Sequence, residues 1–314
     1  MDNRVICVAG PTATGKTKMG VALAKRFGGE VVSVDSMQIY RGMTIGTAAP
    51  TAEEMEGIPH HMVAIADPAE SWSVARFTQR ADGCIQDILS RGKRPVLVGG
   101  TGLYLDSILS GRTFAAGHSG GEVRKALQAE LAQGGIQPLY RQLQEIDPAA
   151  AARLHLSDEK RILRALEVFR ETGETITAHD ARTRLQPPKY RAYTIGLTFR
   201  DRADLYGRID RRVDAMVERG LLQEVETLLK SGLPESATAL QAIGYKQFLA
   251  VAEGTATRQE AIEEVKLRSR QYAKRQLTWL RRNPDIFWVR WERRPNFPEG
   301  LQKATEYLHS RGLC

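Results

Sequence analysis

The stretch Gly10-Pro11-Thr12-Ala13-Thr14-Gly15-Lys16-Thr17 decides the fold of this chain. It spells G-x-x-x-x-G-K-T between an apolar run at 5–9 and a helix-like segment at 19–24, an arrangement typical of a P-loop. Glycines let backbone N–H groups curl around phosphate oxygens, Lys16 reaches a terminal phosphate, and the Thr17 hydroxyl can ligate Mg²⁺. A glycine-rich turn with a chance lysine is the weaker alternative. The motif predicts a di- or triphosphate site without specifying a reaction.

Length and charge limit the organisation and the partners of the chain. With 314 residues, we expect either one large α/β domain carrying an insertion or two domains. The net charge of +8 favours a polyanionic partner such as nucleic acid, although many basic enzymes bind only small phosphates.

The cysteines and histidines give no sign of a disulfide framework or a structural metal. Cys7, Cys84 and Cys314 are odd in number and scattered, and the adjacent pair His60-His61 has no third ligand nearby. No segment approaches the ~20 apolar residues of a membrane span, and no charged region precedes a signal-like segment. We therefore expect a cytoplasmic protein that is neither secreted nor membrane-spanning.

Two strand ends are predicted to lie beside the phosphate site. A second strand at 30–34 ends at Asp35, whose carboxylate can face the phosphates because ligands of open parallel sheets bind outside the carboxyl ends of strands. A turn or N-cap aspartate is the alternative. A third strand at 94–98 runs into Gly99-Gly100-Thr101, without the carboxylate that commonly ends this strand in ATP-hydrolysing P-loop proteins. These glycines permit close approach of a substrate, with Thr101 as a hydroxyl donor, unless they form an ordinary turn.

A helical insertion is predicted after about residue 115, where Gly117, Gly120 and Gly121 form a joint. Helical patterns follow at 122–133, 139–146 and 158–171, and Pro187-Pro188 marks the return to the core. The predicted fold is an α/β P-loop NTPase-like parallel sheet flanked by helices, formed by residues 1–114 and 190–314, with an inserted all-helical domain at 115–189. The insertion carries a basic group that phosphates could contact, unless it is only a solvated face: Arg153, Lys160, Arg161, Arg164 and Arg170.

A helix after Arg200 buries apolar residues at four-residue spacing, namely Leu205, Ile209, Val213 and Val217. Three arginines lie largely off this stripe, so at least one of them can reach the phosphate site: Arg208, Arg211 and Arg212. Ion pairs with neighbouring aspartates are the competing explanation.

The segment 266–294 contains ten basic residues against Asp285 and Glu292 alone. Its aromatic residues could stack on unpaired bases, although a place in the core is favoured for them: Tyr272, Trp279, Phe287, Trp288 and Trp291. The charge points to a nucleic-acid backbone. The basic residues are Lys266, Arg268, Arg270, Lys274, Arg275, Arg281, Arg282, Arg290, Arg293 and Arg294.

Taken with the P-loop, six further blocks closely resemble the bacterial tRNA dimethylallyltransferase family, over nearly the whole chain. They are D-S-M-Q-I-Y at 35–40, G-I-P-H-H at 57–61, G-G-T-G-L-Y at 99–104, R-I-L-R-A-L-E-V at 161–168, A-I-G-Y-K at 242–246 and K-R-Q-L-T-W at 274–279. The match is uneven at 156–160, and the segment at 117–121 is idiosyncratic.

The resemblance implies transfer of a dimethylallyl group from dimethylallyl diphosphate to N6 of adenosine 37, beside the anticodon of tRNAs that read codons starting with U. The products are N6-dimethylallyladenosine and diphosphate. It also implies Mg²⁺ as the cofactor, and the anticodon stem-loop as the recognised part of the tRNA. We expect a monomer without an obligate protein partner.

The resemblance also assigns roles to residues. Lys16, Thr17 and the P-loop would hold the diphosphate and its metal ion, with Arg208 closing on them. Asp35 would act as the base for N6, and Thr101 would bond to the same region. The residues that match family positions contacting tRNA are Asp35, Ser36, Met37, Gln38, Thr101, Arg124, Asp158, Glu159, Lys160, Arg161 and Ile162.

Three other functions remain open from the sequence. A small-molecule P-loop kinase would consume ATP, but the missing strand-end carboxylate and the basic last third count against it. An adenylate isopentenyltransferase would share the P-loop and Asp35 without needing the insertion. A tRNA-binding module without catalysis would keep its RNA affinity after Asp35→Ala and show no turnover.

Overall fold

The computed structural model describes residues 2–111, 114 and 121–314, and within them the chain divides into two compact units. Unit 1 consists of two segments, the residues up to Leu109 and Lys189–Cys314. Unit 2 is Ser110–Pro188. Of the predicted joint, only Gly121 is described, and it precedes the first helix of unit 2. Residues 117 and 120 lie outside the described residues.

A six-stranded parallel sheet in the order β3-β2-β4-β1-β5-β6 forms the centre of unit 1. The central strand β1 pairs with β4 and β5, so that Cys7 lies opposite Leu97 and Thr194. The strands are β1 (Arg4–Ala9), β2 (Gly29–Val34), β3 (His60–His61), β4 (Arg94–Gly99), β5 (Arg191–Phe199) and β6 (Phe287–Trp291).

Helices cover both faces of this sheet, because its strands are apolar on both sides. Val5 and Cys7 belong to one buried cluster, whereas Ile6 and Val8 belong to a second cluster on the opposite face. The helices of unit 1 are α1 (Lys16–Arg26), α2 (Ala52–Met55), α3 (Val74–Ser90), α4 (Gly102–Ser110), α10 (Arg202–Glu218), α11 (Leu221–Lys230), α12 (Tyr245–Ala252), α13 (Arg258–Leu280) and α14 (Phe297–Ser310), with a 3₁₀ turn at Ala239–Gln241.

Side-chain caps fix where the longest helices begin. The Ser73 hydroxyl accepts from the Arg76 amide at the start of α3, and Asp201 accepts from the Ala203 amide at the start of α10. Thr257 and Glu260 form a capping box at the start of α13. The predicted stripe of α10, from Leu205 to Val217, is buried as expected.

Unit 2 is helical and has its own apolar core, which includes Leu127, Leu139, Leu143 and Leu166. Its helices are α5 (Glu122–Gly134), α6 (Ile136–Ile146), α7 (Pro148–Ala151), α8 (Glu159–Thr172) and α9 (Ile176–Arg184). The sequence predicts α5, α6 and α8 but misses α7 and α9. Among the described residues, no helix is long and apolar enough to cross a membrane.

Candidate active site

The P-loop is a tight turn at the carboxyl end of β1. Gly10, Ala13 and Gly15 have φ values of 158°, 65° and 87°. Residues other than glycine rarely adopt positive φ values, and Ala13 is such an exception. A Cβ atom on Gly10 would lie 2.5 Å from the Leu197 carbonyl oxygen of β5, so only glycine fits there. Helix α1 then begins at Lys16, so its N-terminus adjoins the loop, where backbone N–H groups can bind an anion.

Lys16 is folded back onto the loop, where its Nζ donates to the Pro11 carbonyl at 2.8 Å. Burial lowers the pKa of Lys16 to about 7, with a further contribution from the positive charge of Arg212, while Asp35 acts in the opposite direction. The lysine therefore lies in a cationic environment, and no carboxylate of the described residues is in contact with it. An anionic ligand would restore its full charge.

The last elements of the chain support the P-loop from behind. Trp291 of β6 is buried, and its Nε1 donates to the Thr14 carbonyl at 2.9 Å. Phe297 of α14 lies against Gly15, where an added Cβ would come within 2.5 Å of its ring. The Lys18 Nζ lies 4.7 Å from the centre of the same ring. Neither these contacts nor the elements β6 and α14 were predicted from the sequence.

Gln276 of α13 joins the P-loop to the end of β4. Its Oε1 accepts from the Thr12 amide at 3.1 Å, and its Nε2 donates to the Gly100 carbonyl at 3.0 Å. A Cβ on Gly100 would lie 2.2 Å from that nitrogen, which gives this glycine a packing role that the sequence reading did not foresee. A single amide thus fixes the spacing of two loops that flank the site.

Asp35 follows β2 directly and faces the same cavity as Lys16. Its Oδ1 accepts from the Met37 amide at 2.9 Å and from the Gln38 amide at 3.3 Å, so it forms the turn that the alternative reading proposed. No hydrogen bond to its second carboxylate oxygen occurs within the described part of the chain. One oxygen therefore holds the turn, and the other is available to a ligand.

Thr101 follows β4 and lies close to Tyr272 of α13, and it does not line the cavity itself. Burial raises the pKa of Tyr272, and the negative charge of Asp35 adds to this effect. Tyr272 does line the cavity, so the threonine reaches the site through this phenol. The sequence had considered Tyr272 only as a core or stacking residue.

Two of the three candidate arginines of α10 line the cavity, and the third does not. The Arg208 Nε donates to the Ala13 carbonyl at 3.0 Å, while Arg212 lies within the electrostatic reach of Asp35. Burial lowers the pKa of both guanidinium groups, and Arg212 Nε has no hydrogen-bond partner among the residues that the structure describes. Arg211 is exposed. Their spacing of four residues places Arg208 and Arg212 on one face of the helix, a signal already present in the sequence.

These groups surround one cavity of about 660 Å³ in unit 1. Of the predicted phosphate residues, Gly10, Pro11 and Thr14 are buried, and five line it directly: Thr12, Ala13, Gly15, Lys16 and Thr17. Ser36, Met37 and Gln38 line it beside Asp35. Apolar side chains form much of the remaining wall: Val98, Ile209, Val213, Met216, Ile243 and Val265. The cavity thus combines anion-binding groups, a carboxylate and an apolar surface.

The predicted RNA-contact residues of unit 2 mostly lie on its surface around the start of α8. Glu159, Lys160 and Arg161 are exposed, and the Arg161 guanidinium pairs with Asp158 at 2.8 Å. Arg124 faces the buried carboxylate of Glu167 at 3.7 Å. Ile162 is different, because its side chain is fully buried in the core of unit 2, which leaves only the backbone of this residue for a contact with RNA.

The basic segment 266–294 is divided between internal ion pairs and an exposed surface. Lys266, Arg268 and Arg270 pair with Asp214, Glu264 and Asp210. The remaining seven basic residues are exposed: Lys274, Arg275, Arg281, Arg282, Arg290, Arg293 and Arg294. Of the five aromatic residues of the segment, Trp291 is buried, which fits a place in the core. Tyr272, Trp279, Phe287 and Trp288 are half-buried, with Phe287 stacked on Tyr307 and Tyr272 on the cavity wall.

The lowered pKa of Lys16 predicts a pH dependence for anion binding. As the pH rises through about 7 the free protein loses the charge of Lys16, so the affinity for inorganic pyrophosphate should fall by up to about tenfold per pH unit. Calorimetric titration from pH 6 to 8.5 measures this effect. Pyrophosphate itself titrates, so the affinity ratio of the parent to Lys16→Met is the quantity to follow. A ratio that stays constant over this range would contradict the prediction.

Comparisons of the sequence place the chain among known proteins. The family model for IPP transferase matches residues 38–283, and the model for isopentenyl transferase matches residues 3–64. The tRNA dimethylallyltransferase of Acetivibrio thermocellus is 42% identical over 313 residues, which cover 100% of this chain and 99% of the relative. That of Halalkalibacterium halodurans is 46% identical over 288 residues, covering 92% and 91% of the two chains.

Solved structures agree with these relatives. The full-length tRNA isopentenylpyrophosphate transferase from Bacillus halodurans aligns with a TM-score of 0.71 and 40% identity over 99% of each chain. A eukaryotic dimethylallyltransferase, solved in the course of acting on tRNA, aligns with a TM-score of 0.81 and 30% identity over 98% of this chain and 78% of its own. With the family model spanning residues 38–283 and these relatives aligned along almost the full length, the chain belongs to the IPP transferase family.

Proposed function

We propose that this protein transfers a dimethylallyl group from dimethylallyl diphosphate to N6 of adenosine 37 in tRNAs that read codons starting with U. The observation that carries the proposal is the single cavity that brings Lys16, Arg208 and Arg212 together with Asp35 and an apolar wall. A prenyl diphosphate has the matching composition, with an anionic head and an apolar tail. The names of the relatives, which are tRNA dimethylallyltransferases, support tRNA as the acceptor.

The cationic part of the cavity would stabilise the leaving group. In the transfer the bond between the allylic C1 and the diphosphate oxygen breaks, and the electron pair leaves with the diphosphate. Lys16, Arg208 and Arg212 would neutralise the developing charge, which is larger in the transition state than in the bound donor. A P-loop can therefore serve a prenyl transfer without ATP.

Asp35 would accept the proton that N6 loses. The N6 amine is a weak nucleophile because its lone pair is delocalised into the adenine ring, so a base beside it helps the attack on C1. The oxygen Oδ1 is held by the Met37 and Gln38 amides, which leaves Oδ2 for the proton. The new C–N bond and the released proton complete the balance of the reaction.

The oxygen donors near the P-loop suit Mg²⁺, which prefers oxygen ligands and often shares them with substrate phosphates. Thr17 lies in the first turn of α1 and lines the same cavity as the carboxylates of Asp35 and Glu54. No group of three His, Cys, Asp or Glu side chains suited to a metal occurs within the described ranges. Thr17 would therefore hold the ion together with the donor's phosphates. When bound, Mg²⁺ adds positive charge against the leaving diphosphate.

Recognition of the RNA requires adenosine 37 to leave its stack and enter the cavity. Exposed basic residues in both units supply candidate contacts to the phosphate backbone, including Lys160 in unit 2 and Lys274 in unit 1. Binding that depends on these residues should weaken steeply with salt, as expected when counterions are released from RNA.

Mass spectrometry of an anticodon stem-loop tests the proposed function. The unmodified stem-loop is incubated with dimethylallyl diphosphate, Mg²⁺ and the protein, and we expect a mass gain of one C5 prenyl group. A stem-loop with guanosine in place of adenosine 37 is the matched control and should gain nothing. No gain on the adenosine substrate would reject the proposal, and ATP consumption without prenyl transfer would point to the kinase instead.

A further inference from the structure

Glu224 of α11 organises a loop that forms one wall of the cavity. Its Oε2 accepts from the Thr44 amide at 2.9 Å and the Ile45 amide at 2.8 Å, and its Oε1 accepts from the Gly46 amide at 3.0 Å. The Thr44 hydroxyl adds a further bond of 3.0 Å. Successive amides that converge in this way form an anion-binding concavity. Here the anion is a side chain of the protein itself.

Tyr245 of α12 completes this anchor. Its hydroxyl donates to Glu224 Oε1 at 2.5 Å, and its fully buried ring packs against Gly46. A Cβ on Gly46 would come within 2.4 Å of the ring, so the glycine is required for this contact. Burial, together with the charge of Glu224, raises the pKa of Tyr245, so the phenol remains a donor at any physiological pH.

The same loop reaches the reacting groups through Gln38. The Gln38 Nε2 donates to the carbonyls of Thr47 at 3.3 Å and Ala48 at 3.2 Å, and its Oε1 accepts from the Ser33 hydroxyl at 2.9 Å. The Gln38 amide donates to Asp35 Oδ1. The cavity wall at residues 46–49 and the carboxylate of Asp35 are thereby linked to one half-buried glutamate, Glu224.

We propose that Glu224, with Tyr245, is a positioning residue that sets the placement of Gln38 and Asp35 relative to the nucleophile. It acts through the loop and touches no substrate, and the inference rests on the proposed function above. The phosphate end is fixed separately, by α1, Gln276 and Trp291. Loss of the Glu224 charge should therefore impair the attack step while leaving the binding of the donor's phosphates intact.

Glu224→Gln tests this separation, since the amide keeps the size of the side chain but loses its charge and one acceptor. We expect kcat for prenyl transfer to fall on the order of tenfold or more, because small misplacements of reacting groups are costly. The dissociation constant for inorganic pyrophosphate should change by less than about twofold. Tyr245→Phe should also lower kcat, but by a smaller factor. Glu226→Gln, on the same helix and outside this network, is the matched control.

Hydrogen exchange gives a readout that is independent of turnover. The amides of residues 44–46 should exchange faster in Glu224→Gln than in the parent or in Glu226→Gln. An unchanged kcat, or a loss of pyrophosphate affinity as large as the loss of kcat, would overturn the inference. If the parent protein transfers no prenyl group, the proposed function is wrong. In that case, unaltered hydrogen exchange at residues 44–46 in Glu224→Gln would separately show that Glu224 does not hold this loop.

Discussion

Asp35→Asn is expected to lower the single-turnover rate of prenyl transfer by about 10²- to 10⁴-fold, the range typical of a lost general base. The amide can still accept from the Met37 and Gln38 amides through its Oδ1, so the turn after β2 should persist. What disappears is the basic oxygen that we propose as the acceptor of the N6 proton. Because the substitution leaves the P-loop and the basic surface untouched, affinity for the stem-loop should change little. Rapid-quench measurement with saturating RNA separates the two quantities.

Asp67→Asn is the matched control for this substitution. Asp67 is exposed and forms the same kind of turn, with its Oδ1 accepting from the Ala69 amide two residues ahead at 2.9 Å. Its loss of charge should leave the transfer rate unchanged. A rate for Asp35→Asn equal to that of the parent would remove the base from the mechanism, and equal losses in both variants would indicate a general effect of charge.

Lys16→Met should weaken pyrophosphate binding and reduce kcat/KM for dimethylallyl diphosphate by about 10²- to 10³-fold, as expected for a lost charged donor at a developing anion. Methionine keeps most of the length and apolar volume of the lysine stem. The lost bond to the Pro11 carbonyl is internal to the loop, and the supports from Gln276 and Trp291 remain. Calorimetry with pyrophosphate and steady-state kinetics with varied donor measure the two effects.

Lys25→Met controls for the removal of a positive charge from α1. Lys25 lies near the other end of the helix, where it pairs with Glu56 on the surface. It should leave donor affinity unchanged, because exposed charges at that distance are largely screened. Donor affinity that is retained in Lys16→Met would mean that the arginines of α10 alone hold the diphosphate.

The sequence was sufficient to predict a parallel sheet containing β1, β2 and β4, the P-loop and the position of Asp35 at the end of β2, but not the edge strands β3 and β6. These features follow from local signals: an apolar run, a glycine-rich turn, and the rule that the carboxyl ends of parallel strands lie at the same edge of the sheet. The stripe of α10 was predictable for the same reason, since four-residue spacing is visible along the chain. The family resemblance stated from the motifs is confirmed by the relatives.

The contacts that hold these pieces in place were not predictable. Trp291, Gln276 and Glu224 each bond to backbone atoms far away in sequence, and a backbone amide or carbonyl leaves no trace in the identity of its residue. The segment 287–291 also alternates poorly, because both faces of this strand carry aromatic residues. The basic residues around this segment led to the prediction of a nucleic-acid surface, whereas Trp291 itself donates a hydrogen bond to the P-loop.

The short helices of unit 2 were missed for a different reason. Helix α7 has four residues, and its start is fixed by Asp147, whose Oδ1 accepts from the Ala150 amide at 2.9 Å. Its Oδ2 also accepts from the Thr177 amide at 3.0 Å near the start of α9. Periodicity needs two or more turns to be visible, so the single turn of α7 escapes it. Helix α9 is nine residues long, but its sequence I-T-A-H-D-A-R-T-R has no large apolar residue after Ile176 and therefore no apolar stripe.

The bond between Trp291 and Thr14 spans 277 residues of sequence, and this separation bears on how the protein is made. A ribosome releases the P-loop early, as part of the first βα unit, long before β6 and α14 exist. Until the last strand and helix have been translated, Gly15 lacks Phe297 and the Thr14 carbonyl lacks its donor. The growing chain therefore carries a phosphate loop that lacks these contacts until β6 and α14 have been translated.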